Sequence, residues 1–124
     1  MTTTFIADKN GKTINSAGVT KPSDRHFRDA WVIGDADVIT EDMAEAKKIF
    51  QAKIREVRKP LLEAEDVVYM KAIEADDSSA KTASAAKKKK LRDAPAASAI
   101  SSADTIAKLK AAWDTDVLGK SPYA

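Results

Sequence analysis

The chain has 124 residues and no cysteine, which leaves room for one small domain and excludes disulfides and thiolate metal sites. Alanine supplies much of its 44% hydrophobic content and aromatics only 6%, so a thin core is expected, with apolar surface left over for a partner chain. The net charge is only +2, yet the charges alternate in blocks along the middle of the chain.

The first segment, residues 1–22, reads as an extended arm or a short hairpin. Asn10-Gly11 supplies the positive φ angles of a tight turn, and its flanks, Phe5-Ile6-Ala7 and Thr13-Ile14, are short and weakly alternating. The opening Met1-Thr2-Thr3-Thr4-Phe5 has neither the basic nor the apolar region of a signal peptide, and no apolar run approaches a membrane span. Synthesis in the cytosol is the expectation. Residues 23–40 read as a turn capped by Ser23, followed by a β-hairpin of Ala30–Ile33 and Asp37–Ile39 around Gly34-Asp35-Ala36. Trp31 and Ile33 alternate onto one face, expected to pack on the helix that follows.

That helix is the strongest feature of residues 41–93. Met43, Ala46, Phe50, Ile54, Val57, Leu61, Ala64, Val68, Ala72 and Ala75 recur at steps of three or four, the period of one helical face. Over about 50 Å at 1.5 Å per residue, such a helix is longer than a small domain needs. Thr40 is the expected N-cap. Pro60 lacks an N–H and clashes with the carbonyl of Glu56, which predicts a kink or short break. Val57, Leu61, Ala64 and Val68 keep one phase across it and are expected on one buried face. Beyond Pro60 the apolar face widens to Leu62, Val67, Tyr69, Met70 and Ile73, so the second half is expected to be the more deeply packed. After Asp76-Asp77, Ser78 or Ser79 is expected to cap a returning helix that runs to about Arg92. Antiparallel return brings Lys87, Lys88, Lys89 and Lys90 near Glu63, Glu65 and Asp66, pairing opposite charge blocks. In residues 94–124, Pro95 ends that helix. Ser101 or Ser102 then begins a short last helix spaced Ile106, Leu109, Trp113, Val117, closed by Gly119 and Pro122. The fold class is mainly α with a small N-terminal β element: a long Pro-kinked helix, a helical hairpin and a short C-terminal helix.

Catalytic chemistry finds little support in these residues. His26 is the only histidine, stands between Arg25 and Arg28, and lacks a nucleophile and an orienting acid. Gly11-Lys12-Thr13 resembles the end of a phosphate loop, but Ile6 stands where that motif needs its first glycine. Asp35, Asp37, Glu41 and Asp42 fit a solvated turn better than a calcium loop, since Val38 and Ile39 interrupt them. No enzyme, metal or cofactor is expected. Lys87–Lys90 would give a positive field without base readout, and no stacking aromatics adjoin them. Nucleic-acid contact through the basic helix Lys81–Arg92 is therefore the second reading.

Asp24-Arg25-His26-Phe27-Arg28-Asp29-Ala30-Trp31, then Gly34-Asp35, Ile54-Arg55 and Lys59-Pro60-Leu61-Leu62-Glu63-Ala64, resembles small tail-associated and tail-fibre assembly proteins of tailed bacteriophages. Asp66-Val67, Tyr69-Met70-Lys71-Ala72, Leu91-Arg92-Asp93-Ala94-Pro95 and Leu109-Lys110-Ala111-Ala112-Trp113 extend the likeness over residues 23–114. The resemblance implies a non-enzymatic virion protein, either a structural tail component or a tail-fibre assembly chaperone. Its implied partners are other tail or fibre subunits, with self-association possible, and its place is the virion. Phe27, Arg28, Trp31, Ile33, Leu109 and Trp113 are the expected interface anchors, because large apolar groups on short elements invite docking and Trp and Arg favour interfaces.

Overall fold

The computed structural model describes residues 5–22, 25–34 and 38–123. The expected Ser23 cap and the acids Asp35 and Asp37 lie outside them. The fold is mainly α with a small N-terminal β element, as the sequence reading expects.

Strand β1 (Phe5–Ala7) pairs antiparallel with β2 (Thr13–Asn15), Ile6 opposite Ile14. Asp8 shapes the turn between them: its Oδ1 accepts from the backbone N–H groups of Asn10 and Lys12, each at 2.9 Å. Gly11 takes φ +81°, a conformation glycine adopts without strain. A 3-10 turn at Arg28–Ala30 leads into β3 (Trp31–Ile33), which pairs antiparallel with β4 (Ile39–Glu41). The second strand of this hairpin thus lies two residues later than expected.

Trp31 and Ile33 do point inward together, but they meet a different surface from the one expected. With Ile39 they pack on Ile6, Ile14 and Val19 of the N-terminal segment instead of on the long helix. A lone hairpin is marginal in water, and here each hairpin covers the other. Main-chain and carboxylate bonds join them: Lys9 N–H to the Trp31 carbonyl at 3.0 Å, Ile33 N–H to Asp8 Oδ2 at 3.0 Å, and Ile39 N–H to the Thr20 carbonyl at 2.7 Å. Residues 5–22 are an integral layer of the fold.

Helix α1 (Met43–Glu74) follows, capped by Asp42, whose carboxylate accepts from Ala44 N–H at 3.0 Å and Glu45 N–H at 3.4 Å. Thr40 is unavailable for capping because it pairs with Val32 inside the hairpin. Asp42 also meets Lys9 Nζ at 3.0 Å, which ties the β layer to the start of the helix. No break occurs at Pro60; the helix runs through it for 32 residues. Pro60 lies on the exposed side, while partners hold both flanking turns. Arg58 donates to the carbonyl of Arg92 at 2.8 Å, and the Ser84 hydroxyl donates to the carbonyl of Glu65 at 3.3 Å.

After a reversal through Asp76 (φ +54°), α2 (Ser78–Asp93) returns antiparallel along α1. Its cap is Asp77, accepting from Ala80 N–H at 3.0 Å, in place of the expected Ser78 or Ser79. A 3-10 turn at Ala94–Ala96 leads to α3 (Ser98–Ser101), α4 (Ile106–Ala111) and α5 (Thr115–Leu118). The single C-terminal helix expected from Ser101 or Ser102 is therefore divided. Thr105 caps α4, and Asp114 starts a new helix by accepting from Asp116 and Val117 N–H groups at 3.0 and 3.3 Å.

These C-terminal pieces wrap the first half of α1. Phe50 and Ile54 are buried with Phe27, Ile100, Leu109 and Trp113 in the main core, which takes no α1 residue beyond Leu62. Tyr123 closes it, stacked on Phe27 (5.1 Å, 14°) and on Phe50 (5.4 Å, 24°). The first half of α1 is thus the deeply packed half, contrary to expectation.

Candidate protein-interaction surface

Beyond Leu62, α1 and α2 form a two-helix arm. On α1 its buried positions are Glu65 and Ala72, with Leu62 half-buried before them and Tyr69 half-buried between them. Steps of three and four join these residues, but they lie on a face rotated about 100° from Leu61, Ala64 and Val68. The expected buried stripe is thus displaced: Leu61 is 36% and Val68 49% exposed, Ala64 is exposed, and only Val57 packs on the core. Val67, Met70 and Ile73 are also exposed, at 54%, 56% and 45%. Apolar residues stand nearly all round the distal part of α1, interleaved with Glu63, Asp66, Lys71 and Glu74, yet one slender helix covers only one side of it. A shallow groove of about 420 Å³ between Val67 and Met70, edged by Asp66, Lys71 and Glu74, marks the side turned away from α2.

The anchors expected from sequence are inside the fold instead. Phe27 and Leu109 are fully buried, and Trp31, Ile33 and Trp113 are at most 7% exposed. Trp113 packs edge-on to Phe50 at 5.8 Å and donates its indole N–H to the Gly119 carbonyl at 3.0 Å. Trp31 lies beneath Arg28, whose guanidinium sits 4.7 Å from the ring centroid and donates to the Ala7 carbonyl. Arg28 is half-buried as a clasp between the two hairpins. Short elements leave these side chains exposed only if taken singly; assembled, they bury one another.

Two of the four lysines, Lys87 and Lys88, meet the acids that antiparallel return sets opposite them, whereas Lys89 pairs within its own helix. Lys87 Nζ is 3.8 Å from Glu65, Lys88 is 2.6 Å from Asp66 and 5.0 Å from the Tyr69 ring, and Lys89 is 2.9 Å from Asp93. Lys90 is exposed, and Glu63 makes no ion pair among the described residues. Such surface pairs contribute about 0–1 kcal/mol each, so their main effect is to neutralise the positive field.

The other candidates resolve into structural roles. His26 is exposed and meets Tyr123 edge-on at 5.2 Å. Gly11 serves the hairpin turn and Asp42 the helix cap. A cleft of about 570 Å³ contains Asp93, Asp114 and Asp116, but Asp93 pairs with Lys89 and Asp114 caps α5. Among the described residues no group of three or more potential ligands is arranged to hold a metal ion, and no helix is long and apolar enough to cross a membrane.

No protein-family model, curated protein or solved structure matches this chain.

Proposed function

We propose that this protein is a non-enzymatic, tail-associated protein of a tailed bacteriophage, acting through protein–protein contacts as a structural virion component or as a chaperone in tail-fibre assembly. The observation that carries the contact role is the arm. A long helix rooted in a folded core displays Leu61, Val67, Val68, Met70 and Ile73 to solvent, an apolar concentration that solvent exposure alone does not favour. The phage assignment is supported by the sequence likeness over residues 23–114. Its words divide between the two parts of the molecule: Phe27, Trp31 and Trp113 build the cores, while Asp66-Val67 and Tyr69-Met70 belong to the arm. The contact surface thereby moves from the aromatic anchors to the distal half of α1. The nucleic-acid reading of Lys81–Arg92 loses support, because three of the four consecutive lysines already face carboxylates within the chain.

The test is quantitative mass spectrometry of purified virions and of tail and fibre assembly intermediates. The chain is expected in one or both, in fixed ratio to tail or fibre subunits. Recovery only with packaged DNA, or absence from both fractions, would overturn the proposal.

A further inference from the structure

The exposed face of α1 carries its own charge code. Pro60, Ala64, Val67 and Lys71 follow one another at steps of four, three and four along the side turned from α2, and all four are exposed. Leu61 and Val68 flank this line on one side, Glu63 and Met70 on the other. Ala64 is small enough to let another helix approach closely. Glu63 and Lys71 have no ion-pair partner among the described residues.

We infer that this face binds a second copy of the chain, with the two α1 helices antiparallel about a two-fold axis beside Val67. The inference rests on the reading of the arm as a contact surface and names its occupant. The spacing is what selects a second copy. Glu63 and Lys71 lie four residues to either side of Val67, so antiparallel pairing sets Glu63 against the partner's Lys71 and repeats that pair across the axis. Val67 then meets its own counterpart across the axis, and the groove between Val67 and Met70 lies within the interface. Parallel pairing would oppose Glu63 to Glu63 and Lys71 to Lys71, which is repulsive. The interface is isologous and closes on itself as a dimer. One helix face per copy buries less than a permanent interface does, so the dimer is concentration-dependent.

Sedimentation equilibrium of the full chain over a concentration series tests this. A monomer–dimer equilibrium is expected, with Val67→Glu raising Kd more than about tenfold, equivalent to about 1.4 kcal/mol. Glu63→Lys or Lys71→Glu alone should each raise Kd several-fold at low salt, and the double exchange should restore it. All these positions are exposed, and unchanged circular dichroism confirms that each variant is folded. A monomer at every concentration, a dimer indifferent to Val67→Glu, or a double exchange that fails to restore association would overturn the inference. The wider reading is separable: a monomeric chain still incorporated into tail intermediates through Val67 would sink self-association alone. A dimer absent from virions and intermediates would sink the phage role alone.

Discussion

Asp8 gathers three backbone N–H groups, from Asn10, Lys12 and Ile33, and so joins the two hairpins through a single carboxylate. The Ile33 bond is the chief cause holding its pKa below the ordinary value; burial opposes it, and the Asn10 and Lys12 bonds reinforce it. Asp42 is lowered likewise, first by Lys9. For a carboxyl depressed in the folded state, the contribution to stability is complete above the ordinary value of about 3.9 and is lost as pH falls through the folded value. Asp8→Ala should therefore lower the urea midpoint at neutral pH and shrink the drop between pH 7 and pH 3. An unchanged acid dependence would contradict the role given to Asp8. Tyr123 is shifted the other way: burial first, then the charge of Glu56, raise its phenol above the ordinary value. Its neutral form is favoured in the fold, so this contribution persists below about 10 and is lost as pH rises through the folded value. Absorbance titration of phenolate in a Tyr69→Phe background should give a midpoint above that of free tyrosine. Packing separates two further residues. Phe50→Ala, at a fully buried site, should cost about 3–5 kcal/mol, whereas Leu61→Ala, at 36% exposure, should cost about 1 kcal/mol or less in urea denaturation. Equal costs would mean that Leu61 is covered within the monomer after all.

At the scale of elements, α1 carries a proline in its interior at its own expense. Pro60 removes one N–H from the ladder, and interior proline costs about 3 kcal/mol relative to alanine. Pro60→Ala should thus stabilise the protein by up to about 3 kcal/mol in urea denaturation; a loss would show that the ring makes a contact the fold needs. Element types were readable where local chemistry is unambiguous. Asn10-Gly11 announced the first turn, the three-and-four spacing announced α1, and Asp76-Asp77 announced the reversal. Caps were less readable, because Thr40 and Asp42 both suit the position and only strand pairing removes Thr40. The split between α4 and α5 follows from Asp114, whose carboxylate restarts a helix at a place where apolar spacing alone runs on. The packed face of the arm was hidden for a different reason. The apolar arc beyond Pro60 is too broad to nominate one side, and α2, built of alanine, serine and lysine, has no apolar stripe to indicate which side it covers. Breadth of that arc is the available signal for an exposed surface, though by itself it reads equally as depth of burial. Phe27, Trp31 and Trp113 misled in the opposite sense: their short elements look unstable singly, and only the assembled cores show what covers them.

The whole molecule combines two functions of burial. At one end, two hairpins bury their apolar side chains against each other, and the C-terminal turns with Phe27 and Ala30 seal a second core around the start of α1; at the other, the α1–α2 arm leaves large apolar groups uncovered. The first end sets the fold and the second is the proposed contact surface, so on that proposal substitutions on the arm should impair assembly while sparing stability. On the proposed phage role, complementation of the phage deleted for this gene tests that division most directly. Wild-type protein should restore tailed, infectious particles, and a folded Val67→Glu or Met70→Glu variant should restore about tenfold fewer or less, as expected when an interface residue contributing about 1.4 kcal/mol or more is lost. Normal tailed particles from the deleted phage, or full complementation by both arm variants, would contradict the proposed role.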